Sequence, residues 1–425
     1  TPQGRGVLYR SAISGWGRPP AIDSAKLPSG RTSYDPDEYM PLIRQTVGKP
    51  FTTVKTGPAV PTWRPLSHCE KATGVPDWWL RMYARDPVAY REEVWDGITY
   101  SCTTAEVLRA LKRANRGRAP GHASVTIDIL KVAVGAWDGL AEDLSDPILS
   151  FLTSLVNACL RCRCCPPCLK RGIIVMIPKP GKPADDVSDM RPITLLSELG
   201  KLTSRVLAAR LSEVLHCKPH LLHSAQRAYL KDGNSRQCIS VLMDIIEDFS
   251  ERSPTQADLD LIVTSYDIRK EFDSVQRFTI RASCERLNLP DAFIEYVLAS
   301  LEGAESHVRC KDGLTSAFRI GSSVRQGDPL AALVFIIVMD ALHVGLETNP
   351  LGKQAAGYTM SGNGPTLHSA GYSDDTATAA SLMGSRRGKT QLGAGFLRGA
   401  SPSLQRRQNL LCDRDWDRCL LPRPD

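Results

Sequence analysis

Leu261-Ile262-Val263-Thr264-Ser265-Tyr266-Asp267-Ile268 runs directly into Arg269-Lys270-Glu271-Phe272-Asp273. The first half is an apolar, β-type run of the kind that packs into a sheet. The second half piles carboxyl groups against the end of that run. A carboxylate at the end of a buried strand is costly to desolvate without a partner. A second acidic group, Tyr372-Ser373-Asp374-Asp375, lies inside Ala370-Gly371-Tyr372-Ser373-Asp374-Asp375-Thr376-Ala377. Residues 367–372 and 376–382 read as two strands flanking an Asp374-Asp375 turn. Three carboxylates drawn together would repel one another, and a pair of divalent cations would remove that repulsion.

Composition sets the limits. The chain has 425 residues, a net charge of +7, 42% hydrophobic and 23% charged residues. That is enough apolar material for a sizeable core in one large or two to three ordinary domains. The positive sign suits a polyanionic partner, although a slightly basic soluble protein would have the same balance. Thirteen cysteines at irregular spacing do not make a disulfide framework, so reduced thiols inside a cell are expected. The longest apolar run, 330–339, is too short to span a bilayer and no signal peptide is recognisable. The chain starts at Thr1 rather than Met, so whether its N-terminus is complete is left open.

Residues 1–100 are rich in Pro, Gly and Arg and read as a poorly ordered extension with some helix near 76–95. Order is expected from Ser101. Thr103-Thr104-Ala105-Glu106 is a capping box. Helical patterns follow to residue 159, a buried strand at 172–177, and helices at 199–215 and 235–250, the second capped by Asn234. Further along come a helix at 290–302, a hairpin around Lys311-Asp312-Gly313, and a buried helix from about 330 to 346 opened by Asp328-Pro329. The Arg-, Gly- and Pro-rich stretch from 383 to 425 reads as disordered or decayed sequence.

Each acidic cluster alone says little, because Asp-Asp pairs at turns are common. Two further motifs complete a set: Pro178-Lys179-Pro180-Gly181-Lys182 followed by Met190-Arg191-Pro192-Ile193-Thr194-Leu195-Leu196, and Val324-Arg325-Gln326-Gly327-Asp328-Pro329-Leu330. In this order, the four resemble the reverse transcriptases of non-LTR (LINE-type) retrotransposons over about residues 101–382. The resemblance implies an α+β right-hand polymerase, with fingers over 101–250 and a palm built on an antiparallel sheet over 251–382. It implies RNA-directed DNA polymerase activity with two Mg²⁺ ions (Mn²⁺ as a substitute) held by Asp267 and Asp374 and supported by Asp375. Oxygen ligands with retained waters suit such ions. Arg191 would contact the triphosphate, and guanidinium suits bidentate phosphate binding. Lys179 and Lys182 would add charge or simply be solvated. Phe272 would gate the sugar against a 2′-hydroxyl, or pack in the core, or both. Gln326 and Gly327 would line the nucleotide pocket, with Asp328 capping the next helix. Gln226 and Tyr229 fit a template-contacting fingers segment, and a packed aromatic would fit equally. The partners implied are an RNA template, a DNA primer and deoxynucleoside triphosphates, with no membrane. The setting implied is intracellular and nuclear.

Some residues depart from the family pattern. Glu271 stands where the family has a small residue, and a carboxylate there would repel a triphosphate. Ser373 replaces the usual Ala. No lysine motif, primer-gripping hairpin or helical thumb is recognisable after 382, and no endonuclease before 100. These features favour the alternative of a catalytically inactive, nucleic-acid-binding remnant. A third signal is the run Cys159, Cys162, Cys164, Cys165 and Cys168, whose two C-x-x-C spacings fit either a zinc site or an incidental Cys-rich turn.

Overall fold

A computed structural model describes residues 22–52, 82–83, 93–137, 143–178, 187, 190–251, 261–268, 271–348, 357–361, 364–380 and 404–412. In chain order its main helices are α1 (Pro36–Thr52), α2 (Thr104–Arg113), α3 (Ile127–Ala133), α4 (Pro147–Cys162), α5 (Glu198–Cys217), α6 (Ser235–Glu251), α7 (Arg277–Arg286), α8 (Asp291–Leu301) and α9 (Ala331–Thr348). Its main strands are β1 (Gly172–Pro178), β2 (Met190–Leu196), β3 (Leu261–Ile268), β4 (Glu305–Cys310), β5 (Ala370–Tyr372), β6 (Asp375–Ala380) and β7 (Leu404–Cys412). The chain divides into two compact units, each assembled from three separate stretches. The first takes 1–54, 95–211 and 290–332, and the second takes 55–94, 212–289 and 333–425. The boundaries expected from sequence are contiguous, whereas these interleave.

The first unit is organised by a mixed sheet in the order β2-β1-β4. β1 and β2 pair antiparallel, with Ile174 opposite Thr194 and Ile177 opposite Arg191. β4 joins β1 in parallel, with Gly172 opposite Ser306 and Ile174 opposite Val308. β4 also carries the expected Asp-Gly hairpin, pairing with Gly313–Leu314 and Phe318–Arg319. α1 covers part of this sheet. Tyr39, Ile43, Val47 and Phe51 share a core with Ile174, Met176, Val308 and Phe318. Their spacing of four puts them on one helical face. Within the expected N-terminal extension, residues 36–52 are thus an ordered helix, because a stripe of that width supplies its own reason to dock, while 1–21, 53–81 and 84–92 lie outside the described residues. Of the helix expected near 76–95, all but 82–83 and 93–95 lies outside the described residues.

Local chemistry sets the helix ends. The capping box at Thr103 and Glu106 forms in both directions. Asp146 caps α4 ahead of Pro147, and Arg163 ends it in the left-handed region at φ 51°. That C-terminal turn disperses the cysteine run. Cys159 and Cys165 are buried, while Cys162, Cys164 and Cys168 are exposed. Among the described residues, no group of three or more His, Cys, Asp or Glu side chains is placed to hold a metal ion.

The second unit is built on an antiparallel sheet in the order β5-β6-β3-β7. Tyr372 sits opposite Asp375 across β5 and β6, and Thr376 opposite Tyr266 across β6 and β3. β7, from the stretch read as disordered or decayed, pairs along the other edge of β3. Its sequence has no strand-like alternation, so periodicity gave no sign of it. Two polar groups interrupt the apolar α9. Asp340 forms an ion pair with Arg286 at 2.6 Å, with side chains 0% and 6% exposed. One turn later His343 is fully buried, stacked on His223 with ring centroids 5.8 Å apart.

Burial, reinforced by His223, lowers the His343 pKa to about 3. The folded protein therefore keeps this ring neutral while the unfolded chain takes up a proton near pH 6.5. Stability is lost as pH falls below that value and continues to fall toward pH 3. From pH 7 to pH 5 the loss through this group alone should reach about 2 kcal/mol. Urea melts of wild type and His343→Asn at the two pH values would isolate it as a difference between their pH slopes.

Candidate active site

The hairpin between β5 and β6 turns at Ser373 and Asp374. The register of β6 on β3, ending at Thr376 opposite Tyr266, leads when extended by one residue to Asp267 opposite Asp375. The two acidic clusters of the sequence thus meet at one end of one sheet at the level of the backbone. The Asp267 side chain lies outside the described residues. Asp374 is half-buried and Asp375 is exposed.

Glu271 joins them. The one-turn helix Glu271–Ser274 follows β3 and brings this carboxyl to the hairpin, close to Asp374. Ser373 Oγ donates to Glu271 Oε2 at 3.5 Å. Burial first, then the neighbouring Asp374 carboxyl, push Glu271 up to about 8. Carboxylate oxygens are the donor type that Mg²⁺ or Mn²⁺ takes, but these two carboxyls belong to no group of three or more His, Cys, Asp or Glu placed to hold a metal ion among the described residues. In the sequence Glu271 stands only as a repulsive departure, because its approach to Asp374 depends on the turn after β3.

Phe272 is buried and stacks on Phe335 of α9, with centroids 5.0 Å apart and planes tilted by 28°. It is therefore a core residue in this unit. Gln226, expected at a template contact, is 1% exposed and is spent on the hairpin instead. Its Nε2 donates to Ser373 O at 3.3 Å and its Oε1 accepts from Ser373 N at 3.2 Å. The Tyr229 hydroxyl lies 3.2 Å from Ser373 Oγ.

The first unit holds the other group of candidates. Arg191 lies on β2 and is exposed. Three residues on, Thr194 N donates to Gln326 O at 3.2 Å, docking the Gln326-Gly327 turn on the strand that carries Arg191. Asp328 then caps α9, its Oδ1 accepting from Leu330 N at 2.9 Å and its Oδ2 from Ser204 Oγ at 3.1 Å. Lys179 and Lys182 lie outside the described residues. Gly327 has φ +111°, and a Cβ there would lie 2.4 Å from Thr194 O. Gly327→Ala should cost about 1–3 kcal/mol from strain and lift the turn from β2. Thermal melts would show the loss, and an unchanged midpoint would count against the close approach.

Residues 177–386 match the family described as reverse transcriptase (RNA-dependent DNA polymerase). Among curated proteins, the chain is 34% identical over 178 residues to the Retrovirus-related Pol polyprotein from type-1 retrotransposable element R2 of Popillia japonica, covering 41% of this chain and 23% of that one. It is 24% identical over 249 residues to the probable RNA-directed DNA polymerase from transposon X-element of Drosophila melanogaster, covering 55% and 24%. It is 29% identical over 198 residues to the RNA-directed DNA polymerase from mobile element jockey of Drosophila melanogaster, covering 46% and 20%. The chain thus spans a quarter or less of the length of these relatives. No helix among the described residues is long and apolar enough to cross a membrane.

Proposed function

We propose, from the match of residues 177–386 to the reverse transcriptase family and the similarity to retrotransposon polymerases, that the chain performs metal-dependent, RNA-directed DNA synthesis. Deoxynucleotides would be added to a primer 3′-end on an RNA template. The observation that carries this reading is the meeting of β3 with the β5–β6 hairpin, which draws two acidic segments to one sheet end.

In this reading Asp267 and Asp374 hold the metal ions and Asp375 supports them. When bound, two divalent cations supply charge to the attacking hydroxyl and to the leaving pyrophosphate. The protein's own task is to position and neutralise. Arg191 grips triphosphate oxygens with its planar guanidinium. Lys179 and Lys182 add point charges. Gln326 and Gly327 present backbone to the nucleotide. Phe272, rigid against Phe335, would give a fixed wall under the sugar, so the packing role and the gating role are compatible.

Glu271 enters as a carboxyl whose proton is exchanged for metal charge. Once its proton is given up Glu271 would be anionic, and the charge of the bound cations would offset its repulsion of a triphosphate. The test is extension of oligo(dT) on poly(rA) by the purified chain with Mg²⁺ or Mn²⁺, with a DNA template for comparison. Incorporation that needs the cation and favours the RNA template is expected. No incorporation with either metal, together with no measurable Mn²⁺ binding, would overturn the reading.

A further inference from the structure

Ser373 occupies the left-handed region at φ +61° without being glycine. Such a conformation persists only where the surroundings over-determine it. Here one side chain takes both backbone polar groups of that residue. Gln226 Nε2 donates to the Ser373 carbonyl and Gln226 Oε1 accepts from its N–H. The same Oε1 accepts from Ala228 N at 3.0 Å, so the amide's orientation is itself fixed. Two N–H donors face the oxygen and a carbonyl faces the nitrogen, which leaves one consistent assignment of the amide. Buried from water, these bonds have little competition.

The backbone around Gln226 is anchored as well. Gly371 N donates to Ala225 O at 2.9 Å, and Arg227 N donates to Gly371 O at 3.0 Å. Gln226 thereby forms a parallel bridge beside β5. The segment 225–229 acts as a splint along the hairpin, and its buried amide grips the residue immediately before Asp374.

We infer that Gln226 is a positioning residue: by holding Ser373 in its left-handed conformation, it sets the direction in which the Asp374 carboxyl leaves the turn. This rests on the reading of Asp374 as a metal-binding carboxylate. A glutamine that merely filled space would not need both amide atoms engaged with one backbone residue.

The test uses the full chain with Gln226→Glu, Gln226→Ala and Asp374→Asn. Glutamate keeps the volume but, ionised, cannot donate to the Ser373 carbonyl. Three quantities are read: Mn²⁺ affinity by electron paramagnetic resonance, kcat and KM for dTTP on poly(rA)/oligo(dT), and hydrogen exchange at the Ser373 amide. Mn²⁺ affinity should fall about tenfold in both Gln226 variants. kcat should fall about 100-fold with KM for dTTP little changed. The Ser373 amide should lose protection while distant amides keep theirs, which separates a local release from unfolding. Wild-type values of Mn²⁺ affinity and kcat in a folded Gln226 variant would overturn the inference. If wild type and Asp374→Asn bind Mn²⁺ equally, the metal assignment fails. Ser373 exchange then reports separately whether the clamp exists, and the positioning role falls with the assignment.

Discussion

Replacing Asp374 by Asn should reduce primer extension by about 10³-fold, the rate equivalent of about 4 kcal/mol of lost charge stabilisation. The amide keeps the size of the side chain and can hydrogen-bond to the Glu271 carboxyl. It cannot supply the negative charge that a divalent cation requires. Folding should therefore survive. Removing one of two facing carboxyls should leave the melting temperature in chelator unchanged or raised, since Glu271 loses a like-charged neighbour. Asp267→Asn should match it in activity. Asp375→Asn should cost less, because that side chain is exposed. The measurement is single-nucleotide incorporation under saturating dTTP, with melting followed in the same samples. Retention of more than about a tenth of wild-type activity in Asp374→Asn would sink the metal assignment.

The largest stability effect should come from the buried pair. Asp340→Ala strands the Arg286 guanidinium in a site that is 6% exposed, and it also removes the acceptor of His223 N, 2.5 Å from Asp340 Oδ1. Breaking one side of such a pair costs about 3–5 kcal/mol. The double change Arg286→Leu with Asp340→Leu should cost less than Asp340→Ala alone, because neither charge is then left unpaired. Burial raises the Asp340 pKa above the usual carboxylate value. The Arg286 guanidinium and the His223 N–H oppose that rise, and the melts are read at and above neutrality, where ionisation of Asp340 is most favoured. Denaturant melts of the three variants decide it. The loss should also reach chemistry, since His223 begins the segment that carries Gln226.

Much of the framework was legible because it rests on short-range rules. The box at Thr103 and Glu106, the cap at Asp328 and the apolar β3 need only neighbours in sequence. Asn234 likewise accepts from Gln237 N at 3.2 Å, as its position before α6 suggests. What the sequence hid was pairing at long separation. Gln226 reads as one polar residue in a loop until β5 lies beside it. Arg286 has no signal pointing to Asp340, although a lone carboxylate after the apolar run 330–339 hints at a buried partner. The face formed by Tyr39, Ile43, Val47 and Phe51 was present in the sequence, masked by the Pro- and Gly-rich residues around it. β7 left no pattern to find.

The parallel seam between β1 and β4 has a consequence for biosynthesis. Gly172 to Ile174 can pair with β2 early, but cannot acquire their partners on the other edge until Ser306 to Val308 have left the ribosome. Until then one edge of β1 offers unpaired amides and carbonyls to any passing chain. Contacts at such separation form slowly. A nascent chain stalled before β4 would therefore be an aggregation hazard with most of its first unit already synthesised.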